Sequence, residues 1–193
     1  QNAGADAYNT AVGWEAGKLI NTGTYNTLIG ARSGDALTTG AYNVTLGMDT
    51  LTTEDTGNKN IAIGYAALEN LNSDSDAYNI AIGHSAGNAM TTGTSNTLIG
   101  GLAGDALTDG NANTAVGRGA LSGETRGDRN VAIGYETLLA QNNTSDVDAY
   151  NVAVGYVAGT AMTTGVNNTL IGGTAGDALT TGTNNVAMGY GAL

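Results

Sequence analysis

The pentapeptide NTLIG stands at residues 26–30 and returns at 96–100 and at 168–172. It is one form of a broader five-residue motif: Asn, a β-branched residue, then Ala, Leu or Thr, then a large aliphatic residue, then Gly. The motif occurs eleven times, beginning at Asn9, Asn26, Asn43, Asn60, Asn79, Asn96, Asn113, Asn130, Asn151, Asn168 and Asn185. Successive Asn residues lie 17 positions apart, apart from one step of 19 and one of 21. Such regular spacing indicates a repeat protein.

The length of the repeat selects the architecture. Seventeen residues are too few for a helix-pair repeat or a propeller blade, but they suit one coil of a β-solenoid. We therefore predict an all-β fold: a β-solenoid or β-roll of about eleven 17-residue coils, forming a single array over residues 1–193. Equivalent residues of neighbouring coils would stack about 4.8 Å apart. The eleven motif Asn side chains would form a structural ladder along the rod and satisfy turn backbone groups.

A second, longer period of four coils is superimposed on the 17-residue repeat. Each motif Gly is followed by an apolar anchor, either seven residues later (Ile20, Leu37, Met90, Leu107, Met162 and Leu179) or four residues later (Leu51, Leu68, Leu121, Leu138 and Leu193). Two late anchors alternate with two early ones, and the fourth coil carries the extra residues. The pattern predicts four-coil units at 6–75 and 76–147, and an incomplete third unit at 148–193.

Neither face of the predicted strand carries a charged residue in any coil. A strand with one wet face would show polar residues on that face. We predict that the second and fourth motif positions face the coil interior. The third position, mostly Ala, would then face another copy of the chain, giving a parallel homotrimer. The alternative is a monomer with a flat side rich in Ala and Thr.

Composition narrows the classes of partner. Six Lys and Arg against 17 Asp and Glu give a net charge of -11, which argues against binding to nucleic acid or to anionic membranes. No apolar run is long enough for membrane insertion. Because the chain starts with Gln1 rather than Met, we expect a piece of a longer protein. The absence of Cys excludes disulfides and thiolate metal sites.

Several coils resemble known repeats. NIAIGYAAL at 60–68, NTAVGRGAL at 113–121 and NVAIGYETL at 130–138 resemble the β-roll heads of trimeric autotransporter adhesins. The longer stretch AMTTGTSNTLIGGLAGDALTDGNANTAVG, at 89–117, resembles the repetitive regions of phage tail fibres. The resemblance implies an extracellular trimeric fibre, on a virion or a cell surface, that attaches to a host receptor or glycan.

The spacing TTGxxNT favours a phage tail fibre over a bacterial adhesin head. The resemblance implies a structural protein without catalytic activity. The alternative from a different class is a monomeric solenoid that binds carbohydrate or ice on one face. Regular Thr arrays can match ice, but here Thr pairs such as Thr91–Thr92 sit at predicted turns next to Gly, and not along a strand face.

Candidate chemistry is sparse. The single His, His84, occupies a variable slot after the motif Gly, so we predict no catalytic residue and no enzyme. Alternating Asp residues near Asn provide the oxygen ligands that Ca²⁺ uses. The calcium candidates are Asp74, Asp76, Asp146 and Asp148, with solvated turns as the alternative. We otherwise expect no cofactor.

Two further patterns concern binding. The tripeptide Arg126-Gly127-Asp128 resembles an integrin-binding sequence, although a chain rich in Gly and Asp can contain it by accident. Tyr and Trp residues occupy two slots that flank the strand, one before the motif Asn and one after the motif Gly. They could stack on sugars, but we favour their connecting neighbouring coils or chains.

Overall fold

The computed structural model describes residues 6–193, and within this range it is all β, with no helix. The strands are β1 Thr10–Val12, β2 Thr27–Ile29, β3 Val44–Leu46, β4 Ile61–Ile63, β5 Ile80–Ile82, β6 Thr97–Ile99, β7 Thr114–Val116, β8 Gly127–Asp128, β9 Val131–Ile133, β10 Val147–Asp148, β11 Val152–Val154, β12 Thr169–Ile171 and β13 Val186–Met188. Eleven of them form one parallel sheet in chain order, while β8 and β10 pair with each other. The predicted β-solenoid of about eleven coils is confirmed.

Stacking is in register along the whole sheet, so each motif position pairs with the same position of the next coil. Thr97 pairs with Thr114, for example, and Ile99 with Val116. The motif Gly lets neighbouring coils approach closely at the corner after the strand. Gly100 has a φ of +136°, and a Cβ atom there would lie 2.4 Å from the carbonyl oxygen of Gly117. Only Gly tolerates both the backbone angle and this contact.

The motif Asn side chains run through the interior and join the coils. The Nδ2 of Asn96 donates to the carbonyl oxygen of Gly110 at 2.8 Å, which holds the turn of its own coil. Its Oδ1 accepts from the backbone N–H of Asn113 at 2.9 Å, one coil further along the rod. Because these backbone groups are buried, each Asn satisfies donors and acceptors that water cannot reach.

The strand faces are the reverse of our prediction. The third motif position lies inside the coil: Ala62, Leu98 and Ala132 are 0% exposed. The large aliphatic fourth position points outward, and Ile133 is 38% exposed. The interior of a 17-residue coil is narrow, and anchors from the opposite wall already fill much of it. The inner face of the strand therefore carries Ala in seven coils and Leu in three, while the β-branched and aliphatic second and fourth positions are left outside.

The two anchor forms are alternative ways to fill the same space. In a late-anchor coil the fourth residue after the motif Gly is itself Gly, as at Gly104. A Cβ atom there would lie 2.8 Å from Leu98 Cδ2 and 2.9 Å from Leu107 Cδ1. In an early-anchor coil the equivalent residue is Leu, and Leu121 lies fully buried with a left-handed φ of 56°. Core packing offsets the cost of this angle for a residue with a side chain.

Anchors in the middle of the rod are fully buried, as predicted, but those near its ends are not. Ile20 and Leu179 pack against the core while partly exposed, and Leu193 is 64% exposed.

A buried hydroxyl cluster compensates for the single polar residue at the third position. The Thr45 hydroxyl hydrogen-bonds Ser33, which also accepts from Thr50 at 3.1 Å.

Candidate functional site

The outer sheet face extends over all eleven strands of the parallel sheet. We define it as the side chains at the second and fourth motif positions of the eleven sheet strands. Every one is Thr, Val, Ile, Leu or Met, and none is charged. Most are half-buried by their neighbours along the column, while Leu46 and Val44 are 46% and 38% exposed. Continuous apolar surface of this length is typical of an interface.

A column of residues lies on each side of the outer sheet face. The "before" column precedes the motif Asn and comprises Tyr8, Tyr25, Tyr42, Lys59, Tyr78, Ser95, Ala112, Arg129, Tyr150, Asn167 and Asn184. The "after" column follows the motif Gly and comprises Trp14, Ala31, Met48, Tyr65, His84, Gly101, Arg118, Tyr135, Tyr156, Gly173 and Tyr190. Their Tyr, Trp and Met members are exposed, from Tyr135 at 41% to Tyr190 at 88%. The only charges in either column are cationic, although the chain is strongly acidic.

Aromatic rings within each column stack on one another. The ring centroids of Tyr8 and Tyr25 are 5.1 Å apart, and those of Tyr25 and Tyr42 are 5.0 Å apart, with interplanar angles of 13° and 3°. Tyr135 and Tyr156 stack at 5.6 Å in the after column. Because each ring covers a face of its neighbour, the ladders join coils and leave mainly ring edges for other contacts.

The two boundaries between four-coil units carry the same cluster of side chains. At the first, the Lys59 ammonium donates to Asp76 Oδ2 and lies 4.8 Å from the centroid of the Tyr78 ring. At the second, the Arg129 guanidinium pairs with Asp148 and lies over the Tyr150 ring. Each cation thus comes from a fourth coil, and its partners belong to the next unit. The four-coil period therefore recurs in surface chemistry as well as in loop length.

Buried carboxylates hold the long loops, and our sequence analysis missed them. Glu124 is 0% exposed, and its Oε1 accepts from the backbone N–H of Gly127 at 2.8 Å and of Asn143 at 2.9 Å. Glu54 is also fully buried, and it accepts from the backbone N–H of Gly57 and of Ser73 at 2.7 and 3.0 Å. These two Glu occupy the late-anchor slot of early-anchor coils. Their equivalence to Leu107 was the available signal.

The residue in the late-anchor slot, seven positions after the motif Gly, also differs between the two fourth coils. Their longer loops place no Gly opposite the motif Asn, so the usual Asn–Gly bond is absent there. Gln141 fills the slot in the second unit, where its Nε2 donates to Asn130 Oδ1 at 3.0 Å and its Oε1 accepts from Asn151 at 3.2 Å. Leu71 fills it in the first unit, and the Nδ2 of Asn60 has no hydrogen-bond partner.

Burial shifts the acidity of Glu54. Desolvation is the largest effect and raises the pKa of this carboxyl, while the hydrogen bonds from Ser73 and Gly57 oppose the shift. The exposed Asp76 shows the opposite direction, because the hydrogen bond from Lys59 lowers the pKa of its carboxyl. A buried carboxylate that accepts several N–H donors is a structural clamp on the loop that supplies them.

Most of the calcium candidates are engaged with cations of the protein. Asp76 and Asp148 form the unit-boundary pairs described above, and Asp146 Oδ1 lies 3.1 Å from Arg126 Nε. Asp74 is exposed on its loop. Among residues 6–193, no three acidic, His or Cys side chains come together as a metal site. The four Asp therefore lie in two separate loops without a shared coordination sphere.

The Arg-Gly-Asp tripeptide is bound into the solenoid wall. Arg126 bridges Asp109, at 2.7 Å from Nη2, and Asp146. Gly127 is buried, and Asp128 Oδ1 accepts from the backbone N–H of Asn111 at 2.6 Å. Both charged members thus make contacts within the chain, unlike the members of a protruding adhesion loop.

His84 and the turn threonines also have structural partners. The His84 ring lies 5.3 Å from the Tyr65 ring, exposed in the after column. The hydroxyl of Thr91 donates to the carbonyl oxygen of Thr108, and that of Thr108 to the carbonyl oxygen of Thr125. We find no pocket among the described residues that could hold a small molecule.

Comparisons with known proteins leave these features without a named relative. No family model, no curated protein and no solved structure matches the chain. Nothing within residues 6–193 forms a helix able to cross a lipid bilayer.

Proposed function

We propose that the chain is a structural, non-enzymatic segment of an extracellular fibre, the shaft or head of a phage tail-fibre-like protein that serves attachment to a host surface. In this proposal it assembles as a parallel homotrimer around an axis along the rod. The observation that carries the proposal is the outer sheet face, which is uncharged in all eleven coils, with an aliphatic residue at every fourth position and Thr, Val or Ile at every second position. Three such faces turned toward one axis would bury it.

The position of this face changes which residues make the proposed interface. The β-branched and aliphatic side chains at the second and fourth positions lie there, because the third-position Ala residues are inside the coil. Side chains of this kind pack well on the pleated surface of a sheet and suit an obligate interface more than an aqueous one. No acidic side chain lies on this face, and the exposed ones elsewhere would repel neighbouring fibres.

Two alternatives keep a physical basis. A bacterial adhesin head would use the same trimer and differ in what it is attached to. A monomeric solenoid binding carbohydrate or ice would leave the outer sheet face in water. The stacked ring faces of Tyr8, Tyr25 and Tyr42 argue against sugar stacking along that ladder. The turn Thr hydroxyls, engaged with neighbouring carbonyls, argue against their use as an ice-binding array.

The test is the mass in solution, measured by light scattering at low and high salt. We expect about three times the 19.2 kDa chain mass, with little salt dependence because the proposed interface is apolar. A monomer at all concentrations would overturn the fibre proposal and favour the exposed-face alternative. A measured mass of two chains would support self-association but would refute the proposed trimer.

A further inference from the structure

We propose that the before and after columns set the alignment between copies. In each coil, the before-column residue of one copy would contact the after-column residue of the same coil in the next copy. This inference rests on the parallel self-association proposed above, and it adds the register and the contacting residues. The partner is a second copy of this chain, parallel and level with the first.

The geometry follows from the shape of the rod. The strands run across the rod, so a rotation axis parallel to the rod keeps every coil at its own height. The same rotation brings the start of one strand next to the end of the neighbouring copy's strand. The before column of one copy therefore meets the after column of the next, for two-fold and three-fold symmetry alike.

Residue size and type agree in seven of the eleven coils under this arrangement. The third coil pairs Tyr42 with Met48, and the second, seventh and eleventh pair a large residue with a smaller one: Tyr25 with Ala31, Ala112 with Arg118, and Asn184 with Tyr190. The first coil of every unit has an aromatic or imidazole ring in both columns, and the sixth and tenth coils have no ring in either. The fourth and eighth coils pair a cation with Tyr, an arrangement that allows a cation–π contact between copies. These pairs are Tyr8 with Trp14, Tyr78 with His84, Tyr150 with Tyr156, Ser95 with Gly101, Asn167 with Gly173, Lys59 with Tyr65, and Arg129 with Tyr135.

The placement of the cations disfavours the antiparallel arrangement. With two rods running in opposite directions, the fourth coil would face the eighth, and each column would face its own kind. Lys59 would then lie opposite Arg129, so neither of these ion-paired cations would meet a Tyr ring of the other copy, and both cation–Tyr pairs would be lost. The parallel arrangement instead places Tyr65 opposite Lys59 and Tyr135 opposite Arg129.

The area of the outer sheet face together with its two flanking columns is that of a stable protein interface. Ten steps of about 4.8 Å give a face about 48 Å long, and the columns lie six residues apart, up to about 20 Å across. The product is about 1,000 Å² per copy, comparable with the roughly 800 Å² per partner of a standard protein interface. A second copy therefore fits the whole face together with its flanking columns.

Cysteine cross-linking tests the inference directly, because the chain has no Cys of its own. The sixth coil offers Ser95 and Gly101. Gly101 has open space for a side chain, with no neighbouring atom nearer than 3.9 Å to an added Cβ. Four extended residue steps between Asn96 and Gly100 separate the two sites by about 13 Å or more within one chain. A disulfide spans less than about 7 Å between Cα atoms, so any bond must join two copies.

We expect the Ser95→Cys, Gly101→Cys double variant to give covalent oligomers on mild oxidation, seen as a ladder on non-reducing gels. Each single variant should remain monomeric on the same gel. The offset pair of Ser95→Cys with Met48→Cys, three coils and about 14 Å apart along the rod, is the matched control and should not cross-link.

Four results would overturn the inference. Cross-linking of Ser95→Cys alone would indicate the antiparallel arrangement, because the sixth of eleven coils then faces itself. Cross-linking of the offset pair as fast as the in-register pair would indicate a shifted register. If the double variant keeps the mass of the wild-type oligomer but does not cross-link, the proposed contacts between columns are wrong, although the chain still self-associates. A monomeric wild type would refute both proposals together.

Discussion

Replacing Asn43 with Ala should destabilise the solenoid far more than a surface substitution in the preceding coil. Asn43 Nδ2 donates to the Gly57 carbonyl oxygen, and its Oδ1 accepts from the backbone N–H of Asn60, both at 2.9 Å. All three residues are buried. Leaving a buried polar group without a partner costs about 1–3 kcal/mol, so the two lost bonds predict a loss of about 2–6 kcal/mol.

The assay is urea unfolding at one fixed protein concentration, followed by circular dichroism, because association contributes to apparent stability. Thr39→Ala, an exposed substitution, is the control and should change the free energy of unfolding by less than about 0.5 kcal/mol. Asn43→Asp keeps the acceptor but loses the donor until the carboxyl is protonated. Its folded-state pKa should be raised, so its stability relative to wild type should recover as pH falls.

An Asn43→Ala variant that unfolds at the same urea concentration as Thr39→Ala would refute the reasoning. That result would mean that water or backbone rearrangement replaces both bonds at little cost. The ladder would then be a consequence of stacking and not one of its causes.

Three other predictions concern charged groups. Burial raises the pKa of Glu54, so the ionised form of this carboxyl lowers the stability of the fold. Lowering the pH through the folded-state pKa, toward the ordinary value of 4.5, protonates Glu54 and should stabilise wild type. The melting temperature of wild type should therefore rise relative to that of Glu54→Gln measured at the same pH values. A fixed difference between them would contradict this. Titration with Ca²⁺ should release no heat, and a chelator should not move the melting temperature, since Asp76, Asp146 and Asp148 pair with protein cations. Cell adhesion to immobilised protein should be equal for wild type and Asp128→Ala; a selective loss would restore the adhesion motif.

Much of the fold was predictable because one motif recurs eleven times at nearly constant spacing. Asn96 and Gly100 illustrate this. The buried amide of Asn96 bonds to two coils, and Gly100 adopts a backbone angle that other residues rarely adopt. Both are local requirements. Such requirements leave their mark on every repeat. The four-coil period is visible in the same way, through the order of late and early anchors.

The direction of the strand faces could not be predicted from the same information. Large apolar side chains usually lie inside, and this rule assigned Ile133 to the interior and Ala132 to the interface. The rule fails here because the early anchor Leu138 is fully buried and leaves space for only a small strand residue such as Ala132. Leu98, in contrast, fits inside a coil that has Gly104 in place of that anchor. The volume inside a coil depends on how the turns close, which the strand motif alone does not specify.

The buried carboxylates escaped prediction for a different reason. Glu54 and Glu124 occupy a slot that holds Leu or Met in other coils, and a charged residue in such a slot suggests solvent. They are buried because the turn and loop backbone supplies enough N–H donors to replace water. Burial of this kind depends on the loop geometry of the next coil, which the residue in the slot does not specify.

Adjacent substitutions in β9 test the central claim most directly. Ala132 and Ile133 are neighbours with opposite orientations, 0% and 38% exposed in the single chain. Sedimentation velocity and circular dichroism should be measured on Ala132→Glu and Ile133→Glu together. We expect Ala132→Glu to lose β structure, because an ionised carboxylate inside the coil costs several kcal/mol. Ile133→Glu should keep its β spectrum and sediment as a monomer. A folded, dissociated Ala132→Glu beside an Ile133→Glu that unfolds would contradict the assignment of the two faces.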